Sequence, residues 1–216
     1  MTTWPEHVNL WKNCQRCPLC KQRDRICLAR GTVPCDVLFI GEAPGSVEDA
    51  HGVPFCGPAG DLLNDIIARA LPKEVSYALT NLVACFPAEA KAEGTNEPAR
   101  KEILTCRPRL VEFVNVARPR LIVCVGTLAT EYVDHRDTVQ CLDIVHPAFI
   151  LARLPKAQKG MAVNRAIVQV RNAVEDVMST PHNFTQWGTN YASLTESQGL
   201  KQCYDAFVSR EDDIPF

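Results

Sequence analysis

The sequence predicts an α/β fold: a three-layer sandwich with a central four-stranded, mostly parallel sheet flanked by helices. Three observations carry that expectation. Four short apolar runs rich in β-branched residues have the length of buried strands: VLFI at 37–40, SYALTNLV at 76–83, RLIVCVG at 120–126 and VQCLDIV at 139–145. Helical patterns fall between and after them. A strand-helix alternation of this kind is how a parallel sheet becomes covered on both faces.

Each helix has its own periodicity. AGDLLNDIIARAL (59–71) puts Leu62, Leu63, Ile66, Ile67 and Leu71 on one face, and EPARKEILTCRPRLVEFVNVA (97–117) does so around Ile103, Leu104, Leu110 and Val114. A long helix follows at NRAIVQVRNAVEDVMS (164–179), after which periodicity is lost. Residues 1–180 are therefore expected to form one domain, and residues 181–216 a polar linker with an acidic tail.

Composition narrows the function classes. The formal charge of -2 argues against a broadly basic nucleic-acid binder. Yet residues 181–216 alone carry a net -3, which leaves +1 on the rest and room for a local basic face. No run of about 18 apolar residues occurs, and the start MTTWPEHVNLWKNC lacks a basic-then-apolar signal. A cytoplasmic monomer without membrane contact is expected.

Eleven cysteines in such a compartment point to metal before disulfides. Cys14, Cys17 and Cys20 stand at two-residue intervals, with Cys27 later in CQRCPLCKQRDRIC. Two intervening residues bring a pair of thiolates to one vertex. The remaining ligands are open on spacing alone: Cys20 and Cys27 would make a local site, whereas Cys35, Cys56, Cys85, Cys106, Cys124, Cys141 or Cys203 would staple distant segments. Cys124, inside LIVCVG, reads as a small buried hydrophobe.

The first strand runs directly into GEAPGSVEDAHGVPFCGPAG (41–60), a loop with five glycines, three prolines and the acids Glu42, Glu48 and Asp49. In α/β sheets, ligands sit where strands end and loops begin. Further motifs follow in order: CxxCxL with an arginine four residues on (Cys14, Cys17, Leu19, Arg23), GEAPGxxED, GxPFxGxAGxLL at 52–63, TNLVxC ending at Cys85, Cys106 before an arginine-proline pair, and HPA at 146–148. Carried by these six motifs in this order, the chain resembles the iron-sulfur (family 4) uracil-DNA glycosylases from about residue 14 to residue 178.

The resemblance implies a 4Fe-4S cluster on Cys14, Cys17, Cys85 and Cys106, clamping segments far apart in sequence. It implies that Glu42 stabilises the developing sugar cation or orients water, and that His146 donates to uracil O2 as charge gathers there. Gly41 lets the backbone approach the base. Phe55 would stack under the flipped ring, Asn81 would read O4 and N3-H while rejecting cytosine, and Glu48 would crowd carbon 5. Phe149, Ile150 and Leu151 become wedge candidates, and Arg153, Lys156 and Lys159 meet phosphates. Two positions depart from the family pattern: Phe86 follows Cys85 where an arginine is common, and the interval from Ala129 to His146 is short.

The implied reaction is hydrolysis of the N-glycosidic bond of uracil in single- or double-stranded DNA, with no lyase step because no lysine is placed as a nucleophile. Two other classes remain: a DNA-binding accessory of replication that keeps the fold without the chemistry, and an electron-transfer protein. The segment REDDIPF resembles the acidic tip of bacterial single-stranded-DNA-binding proteins. Asp212, Asp213, Ile214, Pro215 and Phe216 are expected to dock on proteins that read that tip.

Overall fold

The structure is a computed structural model, and it describes residues 2–88, 97–133, 139–184, 186 and 187. Five strands form one sheet: β1 (Arg30–Gly31), β2 (Val37–Gly41), β3 (Tyr77–Asn81), β4 (Leu121–Val125) and β5 (Gln140–Ile144), in the spatial order β1-β3-β2-β4-β5. The four long strands are parallel and coincide with the four apolar runs. The expected count of four is corrected by β1, a two-residue antiparallel edge strand on β3. Two residues hold no periodicity, so nothing local in the sequence marks it.

Side chains alternate across the sheet as strand geometry requires. Val37, Phe39, Leu79, Leu121, Val123 and Val125 face one core, with helices α3 (Pro58–Ala70) and α7 (Lys156–Met178) over it. Leu38, Ile40, Ala78, Ile122 and Cys124 face the other, which holds Leu110, Phe113 and Val114 of α4 (Arg100–Ala117). Helix α1 (Trp4–Trp11) packs on α4. Three short helices complete the body: α2 (Ser46–His51), α5 (Thr127–Tyr132) and α6 (Pro147–Ala152). The expected layers are present. Among the described residues no helix is long and apolar enough to cross a membrane.

Chain beyond residue 180 returns to the body. Trp187 is buried against the α4 core, its N–H donating to Asn115 Oδ1 (2.8 Å) while its carbonyl accepts from Asn115 Nδ2 (2.9 Å). Arg118 lies over the Phe184 ring. An aromatic plug of this kind contributes about 3 kcal/mol or more. Residues 188–216, including the tip Asp212–Phe216, lie outside the described residues.

Candidate active site and cysteine cavity

Every parallel strand delivers a residue to the same edge. Gly41 ends β2 and stands in register with Asn81, which ends β3. Gly126 follows β4, and His146 follows β5 by two residues. After Asn81 the chain leaves the sheet, held by Leu82 N–H on Gly41 O (2.8 Å) and Val83 N–H on Glu42 O (3.2 Å).

Gly41 is where Phe55 and Asn81 meet. A Cβ built there would collide with the Phe55 ring tip and stand 2.5 Å from Asn81 Oδ1, so only glycine lets both side chains reach this point. Asn81 is 2% exposed. Phe55 adopts φ 55, uncommon for a bulky residue and typical of sites where surroundings over-determine the backbone. Those surroundings are visible. Arg30 Nε donates to Pro54 O (2.7 Å), and its Nη2 donates to Phe55 O (3.2 Å) and Asn64 Oδ1 (2.6 Å). Gly60 has no side chain to obstruct the Phe55 backbone.

Glu48 has work inside the loop. Its carboxylate accepts from Gly57 N–H (2.8 Å) and Gly45 N–H (3.1 Å), tying both halves of the glycine-rich loop together. These two bonds fix the carboxylate that the resemblance places at carbon 5, and make Glu48 a brace of the loop as well. Asp49, given no role by sequence reasoning, is 5% exposed and accepts from the N–H groups of Asp24 and Arg25. It joins this loop to the N-terminal cysteine segment. Cys27 Sγ donates to Glu48 O (3.2 Å), a use away from the cysteine cavity.

His146 caps α6: its Nδ1 accepts from Ala148 N–H (3.1 Å). With Nδ1 an acceptor, the ring proton sits on Nε2, which is free to donate. Burial lowers its pKa, with Glu48 opposing, so the imidazole is neutral at physiological pH. Gly126, at φ 93, makes room for the ring, since a Cβ there would come within 2.9 Å of His146 Cβ. Sequence reasoning missed Gly126, although a glycine closing an apolar strand was its available signal.

Glu42 lies partly buried beside Gly41. Burial, then the nearby Glu97, raises its carboxyl to about 7. If its carboxylate is the working form, kcat/KM climbs with pH through about 7 and levels above it, because neutral His146 imposes no limb there. Glu42→Gln should flatten the profile at a low rate. The stability sign follows: the unfolded acid ionises near 4.5 and the folded one near 7, so stability falls as pH rises across that window. Glu42→Gln is accordingly expected to raise Tm at pH 8 by about 2 to 6 °C and not at pH 4.

Beyond His146, α6 divides the wedge candidates. Phe149 and Leu151 are exposed, at 51% and 40%, whereas Ile150 is 0% exposed. The expected DNA contact by Ile150 is corrected: on a helix that buries Pro147, the residue three further on turns inward too. Arg153 and Lys156 are exposed, and Lys159 Nζ donates to Leu151 O. Val47, Val53 and Val145 are further exposed apolar residues, in the glycine-rich loop and just before His146. The short interval before His146 includes residues 134–138, outside the described residues.

Cys14, Cys17, Cys85 and Cys106 line one cavity with Cys20, Trp11, Arg23 and Arg109. Among the described residues no three His, Cys, Asp or Glu side chains converge on a single metal ion. A cluster makes a different demand, because its thiolates hold separate iron atoms rather than one. The donor set fits it: soft sulfurs in a mostly apolar cavity, with Arg23 Nη1 donating to Cys85 Sγ (2.8 Å) and its Nη2 to Cys14 O (2.7 Å). Burial pushes the Cys85 thiol up to about 11 against the pull of Arg23, and also raises Cys17. Cys20 shares the cavity wall, so the structure keeps it near the four ligands named by resemblance.

Comparison with known proteins shows the family. The model of the uracil DNA glycosylase superfamily matches residues 30–169, which hold the whole strand-end site and begin after Cys14 and Cys17. The chain is similar to the type-4 uracil-DNA glycosylase of Pyrobaculum aerophilum, 34% identical over 122 residues, or 56% of this chain and 60% of that protein. It is also similar to those of Saccharolobus solfataricus (37% over 122 residues, 56% and 54%) and Archaeoglobus fulgidus (31% over 121 residues, 56% and 58%). The matched region spans little more than half the length of these relatives. With the superfamily match covering well over half of its residues, the chain belongs to the uracil DNA glycosylase superfamily.

Proposed function

We propose that this chain is a monofunctional uracil-DNA glycosylase that hydrolyses the N-glycosidic bond of a flipped-out uracil in DNA. The observation that carries it is the meeting of Phe55 and Asn81 over Gly41 at the strand ends, with Glu42 beside them and a neutral His146 whose Nε2–H is free to donate. Each part has a task. Asn81, its amide held at 2% exposure, accepts from N3–H and donates to O4. His146 Nε2–H stabilises O2 as the bond breaks, and the Glu42 carboxylate faces the positive sugar or orients water. Neither residue needs to become covalently attached.

Cys14, Cys17, Cys85 and Cys106 would hold a 4Fe-4S cluster. When bound, it supplies iron-thiolate bonds that tie the N-terminal segment, the β3 exit and α4 together. Phe149 and Leu151 form the apolar wedge of the DNA face, and Arg153 and Lys156 its phosphate contacts. Phe149→Ala is expected to slow excision from duplex about tenfold and from single strands less than twofold, since only the duplex demands unstacking. Ile150→Ala should instead cost about 2–5 kcal/mol of stability. A stopped assay on both substrates, with a melting curve for each variant, separates the two. The Asp212–Phe216 tip is proposed to dock on proteins that read the single-stranded-DNA-binding-protein tip. Pull-down lost on deletion of Phe216 supports this, and unchanged pull-down ends it.

The direct test of the activity is release of free uracil from an oligonucleotide with one uracil, beside a thymine control. Release from the uracil strand alone is expected. Tight DNA binding without release by iron-loaded protein would favour the non-catalytic accessory.

A further inference from the structure

The cysteine cavity and the base-reading strand meet at one side chain, Arg109. It lies one turn beyond Cys106 on α4, is 1% exposed and lines the cavity. Charged side chains are almost never that buried unless paired. Arg109 nevertheless forms no ion pair among the described residues. Its fork is spent on β3 and the β3 exit. Nη1 donates to Thr80 Oγ1 (2.8 Å), while Nη2 donates to the carbonyls of Asn81 (2.5 Å) and Leu82 (2.9 Å). Nε is buried with no partner among the described residues. Thr80 in turn donates to Leu28 O (2.6 Å), extending the buried chain of bonds to the segment that follows the cysteines.

Two features need a cause. Neutral acceptors satisfy the hydrogen bonds of a guanidinium but leave its charge in a low dielectric, which is costly. A 4Fe-4S centre held by four thiolates is a net anion, and Arg109 shares its cavity with the four cysteines that would carry it. Arg23 is a second cation on the same wall. The second feature is the target of the fork. Beside the Leu82 carbonyl it grips that of Asn81, whose side chain must hold one rotamer to tell uracil from cytosine.

We propose that Arg109 is a positioning residue for base recognition: it fixes the Asn81 peptide from beneath the pocket, with the cluster as the counter-charge that keeps it there. This deepens the glycosylase reading and rests on it. Arg109 touches neither base nor sugar. It acts through Asn81.

The test is the affinity of iron-loaded protein for free uracil by titration calorimetry, normalised to cluster content from absorbance near about 400 nm. Arg109→Lys keeps the charge and loses the planar fork. It should retain the cluster and bind uracil about tenfold more weakly. Thr80→Val, which removes one acceptor, should bind about threefold more weakly and decides the matter if Arg109→Lys does not fold. Lowered Tm with unchanged uracil affinity is what a purely structural arginine would give, and that result overturns the proposal. Wild-type protein that excises uracil yet binds none of the free base would overturn it as well. Wild-type protein that does neither would remove the glycosylase reading itself.

Discussion

Replacement of His146 by alanine is expected to slow uracil excision by about 10²- to 10³-fold, the usual loss when one preorganised donor to a developing anion is removed. The size follows from the local arrangement. Nδ1 is committed to Ala148 N–H, so the only ring proton is on Nε2, and burial keeps the imidazole neutral. Gly126, without a Cβ, leaves the space that the ring occupies. The loss should fall on the chemical step, visible in single-turnover rates with DNA affinity little changed. Since His146 is not a core residue, Tm should stay within a few degrees. A single-turnover rate within threefold of wild type would remove His146 from the reaction.

The second large effect concerns Asn81. Asn81→Asp replaces an amide that both donates and accepts with a carboxylate that only accepts. Uracil O4 then faces an oxygen, and excision from uracil DNA should fall by about 10³-fold or more, the scale on which a mismatched buried polar site rejects its substrate. Cytosine offers an amino donor where uracil offers O4 and a bare N3 where uracil has N3–H. Measurable cytosine excision should therefore emerge through the protonated form of the introduced carboxyl, which accepts from the amino group and donates to N3. Matched oligonucleotides carrying uracil or cytosine read both changes. Retention of uracil activity with no gain on cytosine would show that another group reads the base.

These effects were legible in the sequence to different depths. The strands at 37–41 and 121–125 were visible because residues buried on both faces leave an unbroken apolar run. The convergence of Gly41, Asn81 and His146 followed from the parallel sheet, which gathers strand ends at one edge. Their particular roles came from motif order, because a lone asparagine or histidine has commoner structural uses.

Other features depend on tertiary neighbours. Strand β1 exists because Arg30 and Gly31 find β3 about fifty residues away. Its arginine then braces Phe55, which no local pattern could announce. The resemblance sets Glu48 at carbon 5, and the bracing of its oxygens by two loop amides is legible only in the closed loop. Arg109 has no local signal in the sequence, and only the packed helix shows it buried against the Asn81 carbonyl. Ile150 was a readable error. On the helix that starts at Pro147, residue 150 lies three further on and shares the buried side with it.

The central claim is that one pocket, built from four strand ends and anchored by a cluster, holds uracil. The most direct measurement is a crystal structure of the iron-loaded protein with abasic-site DNA and free uracil. Uracil should lie against Phe55, with Asn81 within hydrogen-bond distance of N3 and O4, His146 Nε2 at O2, and iron on Cys14, Cys17, Cys85 and Cys106. Uracil bound elsewhere, or His146 turned away from O2 in the occupied pocket, would contradict the account.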